Sequence, residues 1–278
     1  MSAAPPPSRT VQTLSLRKGE APGLSDTRVL PEETPVAIIY NGSTQAVMMA
    51  TPADLEDFAI GFALADHAVT NPGQIRELEI VPQETGIEAR LWLDEKRSDA
   101  VAARRRRMAG PVGCGLCGID SLSEALHPIT PLAGDNAQFA AKDLERALDA
   151  LRSHQPLHDQ THAVHAVGLF GDSGAIYLAR EDVGRHNAFD KLVGAMARSG
   201  LSGISRGIAI TSRISVDLVQ KCAVARVPLL ASVSSPTALA VQLAEAAGIT
   251  LATLGRGGRI DIFTHMNRIT TGARTHVA

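Results

Sequence analysis

The chain has 278 residues, 45% hydrophobic and 20% charged, with a formal net charge of −2. That supplies enough apolar material for one large or two modest globular domains, while near-neutral charge and 3% aromatic residues argue against a broad nucleic-acid surface, which needs basic stripes and stacking platforms. No signal-peptide core or long apolar run is present, and three cysteines cannot close a complete set of internal disulfides, so the reading is a soluble cytoplasmic protein, off the membrane, with thiols free for chemistry.

Residues 1–28, rich in Ala, Pro and Ser without a sustained apolar period, read as a disordered leader. Residues 36–40 and 46–49 flank Asn41-Gly42, a pair that tolerates the positive φ angles of a tight hairpin. Thr51-Pro52 predicts an N-cap and first-turn proline, with Asp54 near the positive end of the helix dipole. Leu55, Phe58, Ala59, Phe62 and Ala63 then recur at helical spacing and define a core face. Residues 75–81 and 87–93 read as two more strands, completing a small α+β unit. Residues 96–108 are polar and end in four arginines, Arg104 to Arg107. Such a run reads as a solvated face or linker, or as cations that favour a nearby thiolate or attract an anionic partner.

Gly113-Cys114-Gly115-Leu116-Cys117-Gly118 follows. Glycine before, between and after the cysteines lets the backbone turn tightly and present sulfur. The spacing suits half of a tetrahedral metal site, a dithiol/disulfide pair or a nucleophilic thiol with a helper, and a purely structural loop is the plain alternative. Residues 121–126 read as a short helix, and Pro128 and Pro131 as a linker. The expected organisation is a leader over 1–28, a small α+β domain over 29–134 and an α/β domain over 135–278.

Leu144, Leu148 and Leu151 mark an amphipathic helix. His154, His158, His162 and His165 follow, but His154 and His158 straddle Pro156 and His165 falls in strand-like sequence, so polar loop positions weigh against a zinc site. Past a turn at residues 171–174 comes the densest polar stretch, from Arg180 to Lys191, reading as strand end, glycine turn and helix start. Ligands in α/β proteins gather at such junctions, although charges there also serve only to cap and pair. Beyond it, strands at 208–211, 229–233 and 249–254 alternate with helices at 216–225 and 237–247, which implies a parallel sheet covered on both faces. Cys222 reads as a small buried hydrophobe. The last strand opens into Gly255-Arg256-Gly257-Gly258-Arg259, whose glycines let N–H groups approach a phosphate while two arginines offer charge-assisted bonds.

Taken together, residues 51–58, 114–118, 181–188, 211–215 and 235–240, with the run from Arg256 to His265, resemble the formate dehydrogenase accessory proteins called FdhD. The resemblance covers nearly the whole chain beyond the leader. It implies a sulfurtransferase that takes persulfide sulfur from a cysteine desulfurase and passes it to the molybdenum bis(molybdopterin guanine dinucleotide) cofactor destined for formate dehydrogenase. It also implies a homodimer, no resident metal, and a C-terminal three-layer α/β core similar to the cytidine deaminase fold. Cys114 then matches the persulfide carrier and Cys117 its assistant. Leu254, Gly255, Arg256, Gly257, Gly258 and Arg259 match the cofactor-binding turn, and Val112-Gly113 departs from the hydroxyl residues common in the family before the first cysteine. Arg213, Asp182, Arg185 and His186 are expected to orient the cofactor or the incoming loop. A thiol-disulfide oxidoreductase and a non-catalytic cofactor chaperone remain the alternatives; deaminase chemistry is disfavoured because its zinc signature is absent.

Overall fold

The computed structural model describes residues 3–14, 25–105, 129–132 and 137–271. Within them a ribbon of β1 (Ser8–Leu14) and β2 (Ser25–Pro31) comes first, the two strands pairing antiparallel from Ser8↔Pro31 to Leu14↔Ser25. Part of the expected leader is therefore ordered. Its mix of polar and β-branched residues suits a ribbon lying on the surface, where no strong apolar period is needed.

Strands β3 (Thr34–Tyr40), β4 (Ser43–Ala50), β5 (Ile75–Gln83) and β6 (Gly86–Leu93) form a sheet in the order β4-β3-β6-β5. Asn41 and Gly42 take φ of 46° and 77° at the β3–β4 turn, as that dipeptide predicts. Helix α1 (Leu55–Ala65) begins later than expected, because Thr51 is fully buried and its N–H donates to Asp182 Oδ2 instead of opening the helix. Helix α2 (Glu95–Arg105) takes up the first part of residues 96–108, expected as a solvated face or linker, and is anchored by Arg97 Nε donating to Ala68 O at 2.6 Å.

The larger part is a six-stranded mixed sheet. Its strands are β8 (His165–Phe170), β9 (Ile176–Asp182), β10 (Gly207–Ile210), β11 (Leu229–Ser232), β12 (Thr250–Leu254) and β13 (Ile260–Ile262), ordered β9-β8-β10-β11-β12-β13. The β10-β11-β12 ladder is parallel, as the continuous apolar runs predict, and β8 and β13 run against their neighbours. Helices α3 (Ala141–Arg152) and α4 (Pro156–Thr161) precede β8, while α5 (Arg185–Arg198), α6 (Val216–Val224) and α7 (Ala238–Ala247) follow β9, β10 and β11. Two short strands, β7 (Phe139–Ala140) and β14 (Ile269–Thr270), pair beside this sheet. Among the described residues no helix is long and apolar enough to cross a membrane.

Apolar side chains of α3 pack on one face of the large sheet with Phe170, Ala209 and Leu229. The other face shares one continuous core with α5, α6, α1 and the four-stranded sheet, including Val36, Phe58, Phe189, Ile208 and Leu230. The seam is the crossing of α1 and α5, where Gly61 faces Asp190 and Gly194 faces Asp57. A Cβ on Gly61 would sit 1.7 Å from Asp190 O, and one on Gly194 would sit 1.9 Å from Asp57 O, so the helices touch backbone to backbone. Asp57, 4% exposed, ties the seam with Oδ2 to Arg180 at 2.6 Å and Oδ1 to Arg198 at 2.8 Å.

Gly61→Ala tests that seam. Helix propensity alone favours alanine by about 1 kcal/mol, but a main-chain oxygen cannot rotate away, and overpacking of this kind costs about 1–3 kcal/mol or more. The urea midpoint is expected to fall with an unchanged slope; a rise would mean that the helices are not in contact at this point.

Candidate functional site at the strand-end edge

The carboxyl ends of β9, β10, β11 and β12 lie on one edge of the large sheet, together with the start of β8. Chain order therefore delivers His165, Asp182 to Gly184, Thr211 to Arg213, Val233 and Leu254 to the same edge. Helices α5 and α6 begin there and add the positive ends of their dipoles.

Asp182 is the polar centre of the edge and is fully buried. Its Oδ1 accepts from Gly184 N at 2.8 Å and Asn187 Nδ2 at 3.0 Å; its Oδ2 accepts from Thr51 N at 3.0 Å and meets Lys191 Nζ at 2.6 Å. Lys191 also donates to Thr51 O, and Asn187 to Met49 O. Every acceptor position of Asp182 is thus occupied within the protein. It clasps β4 to the β9–α5 junction.

One turn outward, His186 Nε2 lies 2.8 Å from Asp217 Oδ2, and Ser215 Oγ donates to Asp217 Oδ1 at 2.6 Å. Burial works against ionisation of Asp217, but His186, Ser215 and Lys221 outweigh it and bring the carboxyl down to about 2. Burial, with Arg185 and His186 beside it, lowers the pKa of His165 from 6.5. Deeper in, Lys221 pairs with Asp190, whose carboxyl is pushed up by burial against the pull of that ammonium. Arg185 opens α5 with its Nε buried and, among the described residues, without a hydrogen-bond partner.

At the end of β12 the glycine-arginine turn closes with Gly255 N donating to Arg259 O at 2.6 Å. Gly257 and Gly258 hold φ of 74° and 77°, and a Cβ on Gly257 would meet no neighbour within 4 Å. Its backbone is open to an approaching group. Arg259 is exposed and paired with Asp261 at 2.7 Å. Arg213 is exposed and its side chain has no partner among the described residues. Cys114 and Cys117 lie outside the described residues. Cys222 is fully buried, donates to Val227 O at 3.2 Å and has its thiol pKa pushed up by burial.

Behind the edge, between α3, α4 and the sheet, lies a cleft of about 740 Å³. Leu148, Val164, Val233 and Leu254 supply apolar walls, and His158, His162 and His165 polar positions. Among the described residues no group of three or more His, Cys, Asp or Glu side chains is placed to hold a metal ion. The His158 and His162 rings instead meet edge to face at 5.4 Å.

The sequence matches the FdhD/NarQ family over residues 31–270. The chain belongs to this family. Among its relatives, a protein named Sulfur carrier protein FdhD from Agrobacterium fabrum is 45% identical over 94% of this chain and 96% of its own length. Another of that name from Brucella abortus is 51% identical over 87% and 90%. A crystal structure from Desulfotalea psychrophila, described as that of a formate dehydrogenase accessory protein, superposes with a TM-score of 0.75 at 28% identity, covering 95% of this chain and all of that one.

What Thr51, Lys191 and Asp217 do at this edge escapes sequence reasoning. Thr51 looks like a helix cap, Lys191 like one charge among many in the polar stretch it closes, and Asp217 like an ordinary first-turn acid. Only Asp217, spaced two residues from Ser215 beside the Thr-Ser-Arg junction, carries a local signal.

Lys191→Met leaves the Asp182 carboxylate buried without its cation and is expected to destabilise the fold by about 3–5 kcal/mol. Adding Asp182→Asn, which keeps an acceptor but no charge, should recover part of that loss. Chemical denaturation of both variants decides it; equal losses would mean that charge pairing contributes nothing.

Acid acts on the edge in two steps. His165 has a folded-state pKa below 6.5, so its contribution is complete above that pH and is lost as pH falls through the lower value. Asp217 contributes fully above 3.8, and that part is lost as pH approaches about 2. In urea midpoints followed against pH, His165→Gln should remove the upper step and Asp217→Asn the lower one; a His165 NMR midpoint at or above 6.5 would refute the first.

Proposed function

We propose that this protein is a sulfur carrier of formate dehydrogenase maturation. It accepts sulfur from a cysteine desulfurase as a persulfide on Cys114, with Cys117 assisting, and passes it to the bis-guanine-dinucleotide molybdenum cofactor as substrate. The observation that carries this reading is the 45% identity, over 94% of the chain, to a protein named as a sulfur carrier. In the loading step the Cys114 thiolate attacks the outer sulfur of the donor persulfide; a sulfur–sulfur bond forms, another breaks, and the donor leaves as a thiolate without net oxidation. Burial of Cys222 supports the loop cysteines as the working pair, since a desolvated thiol resists becoming the thiolate that this step needs.

The strand-end edge suits an anionic dinucleotide. Arg213, whose side chain has no partner among the described residues, the open backbone of Gly257 and the converging N-termini of α5 and α6 offer donors and positive potential to phosphates. Arg256 and Arg259 extend that turn, Arg259 after exchanging Asp261 for the ligand. Arg185 and His186 hold supporting positions. The strand order β9-β8-β10-β11-β12, with β8 antiparallel inside it, supports a cytidine-deaminase-like core, and we assign the protein to the cytoplasm as a homodimer.

Intact mass after incubation with a cysteine desulfurase and cysteine tests the reading. The wild type is expected to gain one sulfur atom, retained in Cys222→Ala and lost in Cys114→Ala. No gain under conditions that load a known acceptor would overturn it.

A further inference from the structure

One wall of the cleft is the segment of α4, contributing Gln155, His158, Asp159 and His162. Helix α4 has six residues, too few to hold its shape alone, since isolated helices below about 12 residues are marginal in water. Its N-cap residue, Gln155, makes no side-chain cap. The first-turn amides are satisfied from outside: Leu157 N donates to Glu181 Oε2 and His158 N to Glu181 Oε1, both at 2.8 Å.

Other side-chain polar contacts of α4 among the described residues are local in sequence. Thr161 Oγ1 donates to Leu157 O, and His158 Nδ1 lies 3.3 Å from Val164 O. Both ends leave helical geometry, Gln155 at φ −119°, ψ 58° and His162 at φ 52°, ψ 25°. Over the top, β2 of the surface ribbon packs against α4. A short element between two irregular residues, buried only at Gln155 and Thr161 and with its first-turn amides bound to the sheet by one carboxylate, has the construction of a part that opens below the cost of global unfolding.

We propose that α4 is a lid over the cleft and that Glu181 is the latch that keeps it shut. Opening swings the His158 and His162 wall away from His165 and the strand ends, so the latch sets access to the cleft. The inference rests on geometry alone and stands whether or not the chain carries sulfur.

Hydrogen exchange on the full chain, with diethyl pyrocarbonate labelling of His165 read by mass spectrometry, tests it in wild type, Glu181→Gln and Glu181→Ala. In Glu181→Ala the amides of Leu157 and His158 are expected to exchange about tenfold faster or more, the scale of losing charge-assisted bonds. His165 labelling should rise with them while amides of α5 and β10 keep their rates. Glu181→Gln, whose amide oxygen still accepts one bond, should fall between. Unchanged exchange at Leu157 and His158 would overturn the latch. So would a rise shared equally by α5 and β10, which marks general destabilisation, or faster exchange with unchanged His165 labelling, which marks fraying without opening.

Discussion

The contact between Asp182 and Lys191, both fully buried, is the constraint on which the arrangement depends. A carboxylate and an ammonium taken from water are tolerated only when their remaining valences are met, and here they are met by Thr51, Gly184 and Asn187. Those partners come from the crossover after β4, the turn after β9 and the first turn of α5. One ion pair therefore fixes where the small sheet meets the large one, and sets the direction in which α5 leaves the edge.

With that knot closed, the ligand-facing chemistry is pushed outward. Asp182 is used up inside, so the positive and neutral groups left accessible at the edge are Arg213, the open turn at Gly257 and the face of His186, the last set against the half-exposed carboxylate of Asp217. Asp217 stays ionised and screens His186, while burial, with Arg185 and His186 beside it, disfavours the charged form of His165. An edge of this kind draws anions without needing a strongly basic protein, consistent with a formal net charge of −2.

Much of the layout is legible in the chain. Asn41-Gly42 predicts its hairpin, the Leu144-Leu148-Leu151 period its helix, and the apolar runs at β10, β11 and β12 their parallel ladder, because local periodicity and turn chemistry decide those elements. The errors share one cause. Thr51 carries every mark of an N-cap, yet a distant carboxylate outbids the helix for its N–H; that this carboxylate, Asp182, spends all its acceptor positions inside the protein goes unread, because a fully satisfied buried acid and an open one read alike in sequence. Residues 8–14 lack an apolar stripe and still pair, since a surface ribbon is held by its ladder. Glu181 sits in the most conspicuous motif of the chain, but its bond to α4 becomes visible only once β9 and that helix are placed together.

The crossing of α1 and α5 also bears on synthesis. Asp57 and Arg198 are 141 residues apart in sequence, so at ribosomal speed the first helix and its four-stranded sheet emerge on the order of ten seconds before the helix that covers them. During that interval Phe58, Ile60 and the glycine notch of α1 face water or a chaperone. The amino-terminal half is thus a nascent-chain intermediate with an open apolar flank, and its safe passage depends on translation reaching α5.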